Sequence, residues 1–415
     1  MTGRNLRFAT ATLLVCALAS CGVSNRTPGA GGNYSGLPTA GGHGSEAGFQ
    51  NWVVSFRPRA IGAGVSPQVF DSAMAGTHYQ PSIVALDGKQ SEFSKPIWEY
   101  LDGAVGGSRT STGRQMAATY GSTLSAIERR YGVPREIVLA VWGMESNYGA
   151  NRGNTQTVPA LATLAYDGRR GEFFAGELVS ALRIIQAGDV DNSHLVGSWA
   201  GAMGHTQFMP SSFLSHAVDF NGDGRRDIWS NDPTDSLAST ASYLRENGWR
   251  PGQPWGTEVI LPQGFDYNQV GKSVVKSGGQ WQAMGVRAAN GGAVPSGAIL
   301  APAGARGPAF LITDNFRAIL KYNASDSYAL GVAYLGESIA GRSGIRGSWP
   351  RGDRTLSNTE KAEIQRLLMA KGFDTGGVDG KLGSKSVDAV KAYQRSRGMV
   401  PDGYADAQLL GMLRG

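Results

Sequence analysis

The chain has 415 residues, 41% of them hydrophobic, with 39 basic against 33 acidic side chains and a net charge of +6. That leaves room for two or three domains and excludes wholesale disorder, while sixty glycines without a Gly-X-Y period exclude collagen. Two cysteines exclude a disulfide-rich scaffold and a cysteine-based structural zinc site, and so small and scattered a charge does not argue for a nucleic-acid partner.

The first ten residues carry Arg4 and Arg7 and no acid, and residues 11–19 are apolar except for Thr12. A basic head before a short apolar core is a secretory signal, too short for a membrane span of about 20 residues. It runs into Leu18-Ala19-Ser20-Cys21, which resembles the bacterial lipobox. That resemblance implies cleavage after residue 20 and a lipid on Cys21. Cys16 then leaves with the signal, two arginines and no acid are lost, and the charge falls from +6 to +4. Membrane attachment would come from the lipid, not from charge. Gly22 instead of Asp after the cysteine points to the periplasmic face of the outer membrane. A soluble periplasmic enzyme is the alternative. Residues 21–48 read as a Gly-rich tether, with nine glycines, Pro28 and Pro38 after the cysteine. As a coil it spans roughly 30 Å.

Order is expected from Phe49. Residues 122–130, 134–145, 171–185 and 235–247 place apolar side chains at i, i+3, i+4 and predict helices. Residues 258–312 hold many glycines and short β-branched runs, Val259-Ile260-Leu261 and Ser273-Val274-Val275, and predict a small strand-rich subdomain. Helical periodicity returns over 315–340. Residues 342–355 read as a second linker, and a compact block follows over 356–415.

One helix carries a candidate acid. Residues 137–144 bear no charge, and then Glu145 arrives. Trp142, Val141, Val138 and Ile137 lie 3, 4, 7 and 8 residues before it and share its face. Desolvation there favours a protonated carboxyl able to donate a proton. Pro134 suits the first helical turn and Gly149 the end of the helix. The competing reading is a helix-terminal Glu turned to solvent.

Two segments, Glu145-Ser146-Asn147-Tyr148-Gly149 and Ser198-Trp199-Ala200-Gly201-Ala202-Met203-Gly204-His205-Thr206-Gln207-Phe208-Met209-Pro210, resemble lytic murein transglycosylases of the B family, glycoside hydrolase family 103. Tyr322-Asn323-Ala324-Ser325-Asp326-Ser327-Tyr328 adds a third match. The resemblance implies a lysozyme-like helical catalytic domain over 49–341. It also implies cleavage of the β-1,4 bond between N-acetylmuramic acid and N-acetylglucosamine in peptidoglycan, with no cofactor required. One Glu protonates the glycosidic oxygen, then serves as base while the muramic C6 hydroxyl attacks C1 and leaves a 1,6-anhydro sugar. Glu145 matches that Glu. An internal nucleophile makes one carboxylate sufficient where ordinary glycosidases need two. By the same match Ser198, Gln207 and Asn323 supply hydrogen bonds to sugar or to Glu145. Tyr322, Tyr328, Phe208 and Met209 shape the groove, with Tyr243 and Tyr100 as weaker carry-overs. Aromatic walls with a few polar groups suit a glycan; for Phe208 and Tyr243 plain core is the competing reading.

Asp219-Phe220-Asn221-Gly222-Asp223-Gly224-Arg225-Arg226-Asp227 opens like an EF-hand. Ligands would be Asp219, Asn221, Asp223, the Arg225 carbonyl and Asp227, with Ser230 where a standard loop has Glu. In the resembled family the loop closes on a later Asp, so Asp235 is the first candidate and Asp232 the second. The readings are a structural calcium and a metal-free Asx-rich turn. In the last block, Ile364-Gln365 to Tyr393-Gln394 resembles a three-helix peptidoglycan-binding module, with Leu367, Leu368, Val387, Val390 and Tyr393 as core. Asp379-Gly380 echoes in Asp402-Gly403, a turn used twice. The fold class expected is mainly α (α+β). The partner expected is the peptidoglycan glycan strand. The rival functions are a lysozyme-type muramidase and a non-catalytic wall-binding lipoprotein.

Overall fold

The computed structural model describes residues 44–88 and 95–415. The signal, Cys21 and nearly all of the tether lie outside the described residues. Order begins earlier than expected. Ser45 caps a helix over Glu46–Gly62 by accepting from the Gly48 N–H at 3.1 Å. Phe49, Trp52, Phe56 and Ala60, spaced by three and four, form its buried stripe. That stripe packs on the hairpin of Thr157–Asp167 and Gly171–Ala187 together with Pro67–Met74 and Pro210–His216, making one helical core.

A second helical core holds Ile97–Ala104, Gly107–Thr119, Gly121–Tyr131, the acid helix Arg135–Ser146, Thr234–Glu246, Asp314–Tyr322 and Asp326–Ile339. The expected helices at 122–130, 134–145, 171–185 and 235–247 are all present within two residues. The stretch over 315–340 is two helices, broken at Asn323, whose backbone is extended. Tyr243 and Tyr322 pack against both cores and mark the seam between them.

The strand-rich insert is a four-stranded antiparallel sheet ordered Arg287–Ala288, Gly256–Ile260, Ala309–Ile312, Ala298–Leu300. Period-two alternation divides its side chains between two cores. Leu311 and Ile299 face Trp281 within the insert, whereas Phe310, Ile312, Ala298 and Leu300 face the second helical core. Ser273-Val274-Val275 forms no strand. Its β-branched pair lies in an irregular segment, and Val275 is exposed. No described helix is long and apolar enough to cross a membrane.

The expected linker is pinned along its length. Arg342 pairs with Glu136 and Glu337, the Glu258 carboxylate accepts the Arg346 and Gly347 N–H groups, and Arg351 pairs with Asp102. Trp349 packs on Trp98 and Phe310, with ring centroids 6.1 Å away in each case. The last three helices, Asn358–Ala370, Ser384–Ser396 and Ala407–Arg414, enclose their own core of Ile364, Leu368, Val390, Tyr393 and Leu410. Leu367 and Val387 are only half-buried. The doubled turn is structural: Gln365 accepts from the Asp379 and Gly380 N–H groups, and Gln394 accepts from that of Gly403. Each glutamine returns an N–H to the Asp carboxylate. This module docks on the insert. Lys391, buried, donates to the Tyr267 carbonyl at 2.9 Å, Asp402 accepts from the Ala305 N–H at 2.8 Å, and Arg306 bridges Asp353 and Asp406. A module held this way presents its surface at a set position instead of sampling a linker's range.

Candidate active site

The acid helix is buried from Ile137 to Met144, and Glu145 is half-buried at its last turn. Pro134 stands just ahead of the helix, at its N-cap. The helix ends at Ser146, with Asn147 as the left-handed cap, so Gly149 is not the stop. Asn147, Tyr148 and Gly149 all have positive φ, at 50°, 58° and 85°. Gly149 has another task. A Cβ there would lie 2.6 Å from His205 Nδ1, so glycine lets the imidazole pack against the turn.

Tyr328, only 2% exposed, donates its hydroxyl to Glu145 Oε1 at 2.6 Å. Ser325 caps its helix by accepting from the Tyr328 N–H at 3.3 Å, which sets the first turn that carries the ring. Tyr322 lies close enough for the Glu145 charge to act on it. Burial foremost, and then that charge, push its phenol well above the ordinary value. Its hydroxyl donates to the Thr206 carbonyl at 2.6 Å. Tyr243 meets Tyr322 edge-on at 4.9 Å and donates to the Lys321 carbonyl; burial pushes its phenol up to about 12. Both rings therefore stay neutral hydrogen-bonding walls at physiological pH. Tyr100, half-buried, lies one turn along from Tyr328: a Cβ on Gly331 would meet Tyr100 at 3.3 Å and Met144 at 3.1 Å.

The remaining candidates make contacts within the protein. Phe208 is 2% exposed and belongs to the core, its ring tilted against those of Tyr243 and Tyr322 with centroids 5.8 Å away in each case. Ser198 Oγ accepts from the Ala202 N–H at 3.1 Å and closes its own loop. Gln207, at φ 54°, donates to the carbonyls of Arg152 and Gly204 at 3.0 and 2.9 Å. Asn323, 8% exposed, accepts from the Ser325 N–H. Met209 is half-buried at the N-cap of Pro210–His216. Three of the expected sugar contacts thus have side-chain groups committed to backbone.

The aspartate-rich loop lies in front of Thr234–Glu246. Asp219, Asp223 and Asp235 bring carboxylate oxygens within 4.8 Å of one another. Asp235, the first of the two closing candidates, also accepts from the Phe220, Asn221 and Asp227 N–H groups. Asp232 caps Thr234 instead. Asn221 accepts from the Asp223 N–H, Asp223 from that of Arg225, and Asp227 from those of Trp229 and Ser230. Oxygen donors and a glycine-bearing turn are what a hard cation such as calcium requires.

Sequence reasoning did not single out His205 or Arg152. The Trp142 indole N–H donates to His205 Nδ1 at 3.2 Å, which leaves Nε2 as the protonated nitrogen, directed at the Ser230 carbonyl at 2.8 Å. Burial above all, with the Arg152 charge adding to it, holds this imidazole below its ordinary value. Below the unfolded-state value of about 6.5, the unfolded chain takes up a proton that the folded ring resists. Stability therefore falls as pH drops from 7 to 5, and His205→Gln flattens that part of the profile; thermal midpoints across the range check it. Tyr328→Phe removes the hydrogen bond to Glu145 Oε1. It lowers kcat by on the order of tenfold, read from turnover of purified peptidoglycan, while the ring still fills its place.

A half-buried carboxylic acid at a helix end, faced by neutral tyrosines in a seam between two helical cores, defines a lysozyme-like glycan-cleaving fold. Residues 48–337 match the Transglycosylase SLT domain and residues 357–413 a peptidoglycan binding domain. The chain belongs to the lytic transglycosylases of this family. It is 34% identical over 227 residues to membrane-bound lytic murein transglycosylase B of Escherichia coli (strain K12), a match covering 53% of this chain and 61% of that relative. It therefore spans under two thirds of that protein's length. SltB3 from Pseudomonas aeruginosa, solved in complex with NAG-anhNAM-pentapeptide, is 48% identical, with a TM-score of 0.85 over 88% of this chain and 99% of that one. Escherichia coli Slt35, solved in complex with calcium, is 28% identical, with a TM-score of 0.61 over 74% of this chain and 97% of that one.

Proposed function

We propose that this protein is a peptidoglycan lytic transglycosylase that cleaves the β-1,4 bond between N-acetylmuramic acid and N-acetylglucosamine and leaves a 1,6-anhydro end. The Tyr328–Glu145 contact in the seam carries the reading. Glu145 gives its proton to the bridging oxygen as the C1–O bond breaks. The C6 hydroxyl then closes on C1, and the Glu145 carboxylate takes up the hydroxyl proton, so the acid is regenerated and no water is consumed. Tyr328 orients the carboxyl, and Tyr322, Tyr243 and Tyr100 offer ring faces to the sugars. Family membership supports this reading, as do the NAG-anhNAM-pentapeptide and NAG-NAM-pentapeptide complexes of SltB3. Mass spectrometry of digested sacculi tests it: 1,6-anhydro-muramic products are expected, and reducing ends alone would establish a muramidase.

The aspartate-rich loop takes a calcium ion in this reading, held by Asp219, Asp223 and Asp235 with Asn221 and the Arg225 carbonyl completing the set. A relative solved with calcium supports it. The ion braces the groove and is not part of the proton transfer. Millimolar calcium then raises the thermal midpoint by several degrees over chelator-treated protein, and Asp235→Asn removes the difference. Equal midpoints with and without calcium in the parent would rule the metal out.

The Cys21 lipid anchors the enzyme at the periplasmic face of the outer membrane in the same reading, supported by the lipobox resemblance and by a relative named as membrane-bound. Palmitate incorporation that is lost in Cys21→Ser checks it; an unlabelled protein is soluble.

A further inference from the structure

The turn that follows Glu145 is unusual backbone. Asn147 and Tyr148 are not glycines, yet both are left-handed, and Gly149 continues the run. Such a run persists only where the surroundings over-determine it, and here the determinants can be traced. Ser146 Oγ donates to the His205 carbonyl at 2.5 Å and accepts from the Gly149 N–H at 2.9 Å. The Asn151 N–H returns to the Ser146 carbonyl at 2.8 Å, and the Tyr148 hydroxyl donates to the Arg109 carbonyl at 3.0 Å. One turn before the acid, Trp142 donates to His205. The imidazole thus touches the acid helix and the left-handed turn together.

His205 is in turn held by the aspartate-rich loop. Its backbone N–H donates to the Ile228 carbonyl and its ring N–H to that of Ser230. Arg152 fastens the same loop from the other side. It donates to the Trp229 carbonyl at 2.9 Å, to the Ser230 carbonyl at 2.5 Å and to Asn231 Oδ1 at 3.1 Å. Its own carbonyl accepts from Gln207. Among the described residues the guanidinium forms no ion pair; it meets His205 Nε2 at 3.2 Å, and its other contacts go to uncharged oxygens of one loop. An arginine used this way is a bracket whose planar fork sets the spacing of what it binds. Asp227 holds those carbonyls in place by accepting from the Trp229 and Ser230 N–H groups.

We infer that Arg152 and His205 are positioning residues that clamp the left-handed turn after Glu145 onto the loop at residues 228–231 and so set where the carboxyl stands. The clamp rests on the assignment of Glu145 as the acid. It needs no bound metal, because every contact in it is between protein groups.

The test is a two-by-two comparison of Arg152→Met and Glu145→Gln, with Arg152→Lys alongside, on purified peptidoglycan. Arg152→Met is expected to lower kcat at least tenfold, with KM within twofold of the parent and the thermal midpoint nearly unchanged. In the Glu145→Gln background the same substitution is expected to cost almost nothing, because the group it positions is gone. Arg152→Lys keeps the cation but cannot span three acceptors, so kcat falls at least threefold. If Arg152→Met does not fold, Arg152→Lys decides alone. Parental kcat in a folded Arg152→Lys or Arg152→Met protein overturns the clamp, as does an equal loss in both backgrounds. Those results come with a Glu145→Gln protein reduced to a low but measurable residual rate. An active Glu145→Gln instead removes the acid assignment itself, and the clamp falls with it.

Discussion

Glu145→Gln lowers the rate of glycan cleavage by about 10²–10⁴-fold, the range a positioned general acid/base contributes, and leaves the thermal midpoint within about 2 °C. Gln is close in shape to Glu, and its amide oxygen can still accept the Tyr328 hydroxyl that Glu145 Oε1 accepts now. Glu145 is half-buried at a helix end, so an uncharged amide there is no harder to bury than the carboxylate. What the amide cannot do is deliver a proton to a leaving oxygen and later accept one. Lytic activity on purified sacculi and a melting curve read the two halves of the prediction. Undiminished activity removes Glu145 from the mechanism, and a collapsed midpoint means that its role is structural.

Gly153→Ala should be among the most damaging single methyls in the catalytic domain. Gly153 has φ 82°, where a residue with a Cβ loses about 1–2 kcal/mol. Its Cβ would also lie 2.2 Å from the Gly197 carbonyl carbon and oxygen and 2.6 Å from the Ser198 nitrogen. These are backbone atoms at the start of the Ser198–Ala202 turn, and they have no rotamer to change. The expected destabilisation is about 3 kcal/mol or more, a drop in melting temperature on the order of 5–10 °C. Activity falls with it, since Gly153 adjoins Arg152, whose carbonyl accepts from Gln207. Gly149→Ala is the comparison: its Cβ would meet the His205 ring at 2.6 Å, side-chain atoms instead of backbone. It is expected to cost less. A Gly153→Ala protein with the parental melting point contradicts this packing.

Much of the catalytic domain was legible because its signals are local. An uncharged helical run ending in Glu145 marks a helix that is buried and an acid that is half so, and both readings need only neighbours within eight residues. Glutamine and serine in the second motif were legible as important but not as to purpose. A hydroxyl that binds sugar and one that closes its own loop are the same residue type at the same place. Ser198 and Gln207 prove to be committed to backbone groups of Ala202, Arg152 and Gly204. Gly149 read as a helix stop because glycine favours the left-handed cap, but Asn147 takes that part and the glycine makes room for a ring. The arginine-rich stretch after Gly341 read as linker because its composition is that of one. Its partners Glu136 and Asp102 are 206 and 249 residues away, and no local pattern announces them.

By itself the sequence determined several helices of the catalytic domain, the presence of a strand-rich insert, the placement of Glu145 at the end of a buried helix and the aspartate loop, since periodicity, capping and short motifs act within a few turns of chain. Only the tertiary structure decided which backbone groups the side chains of Ser198, Gln207 and Asn323 bind. It also decided that the C-terminal module is docked instead of tethered, and that the His205 ring packs on the turn after Glu145. The physical reason is that a buried donor or acceptor must find a partner, and in this protein the partners of Glu145, Arg152 and Lys391 lie 183, 78 and 124 residues away.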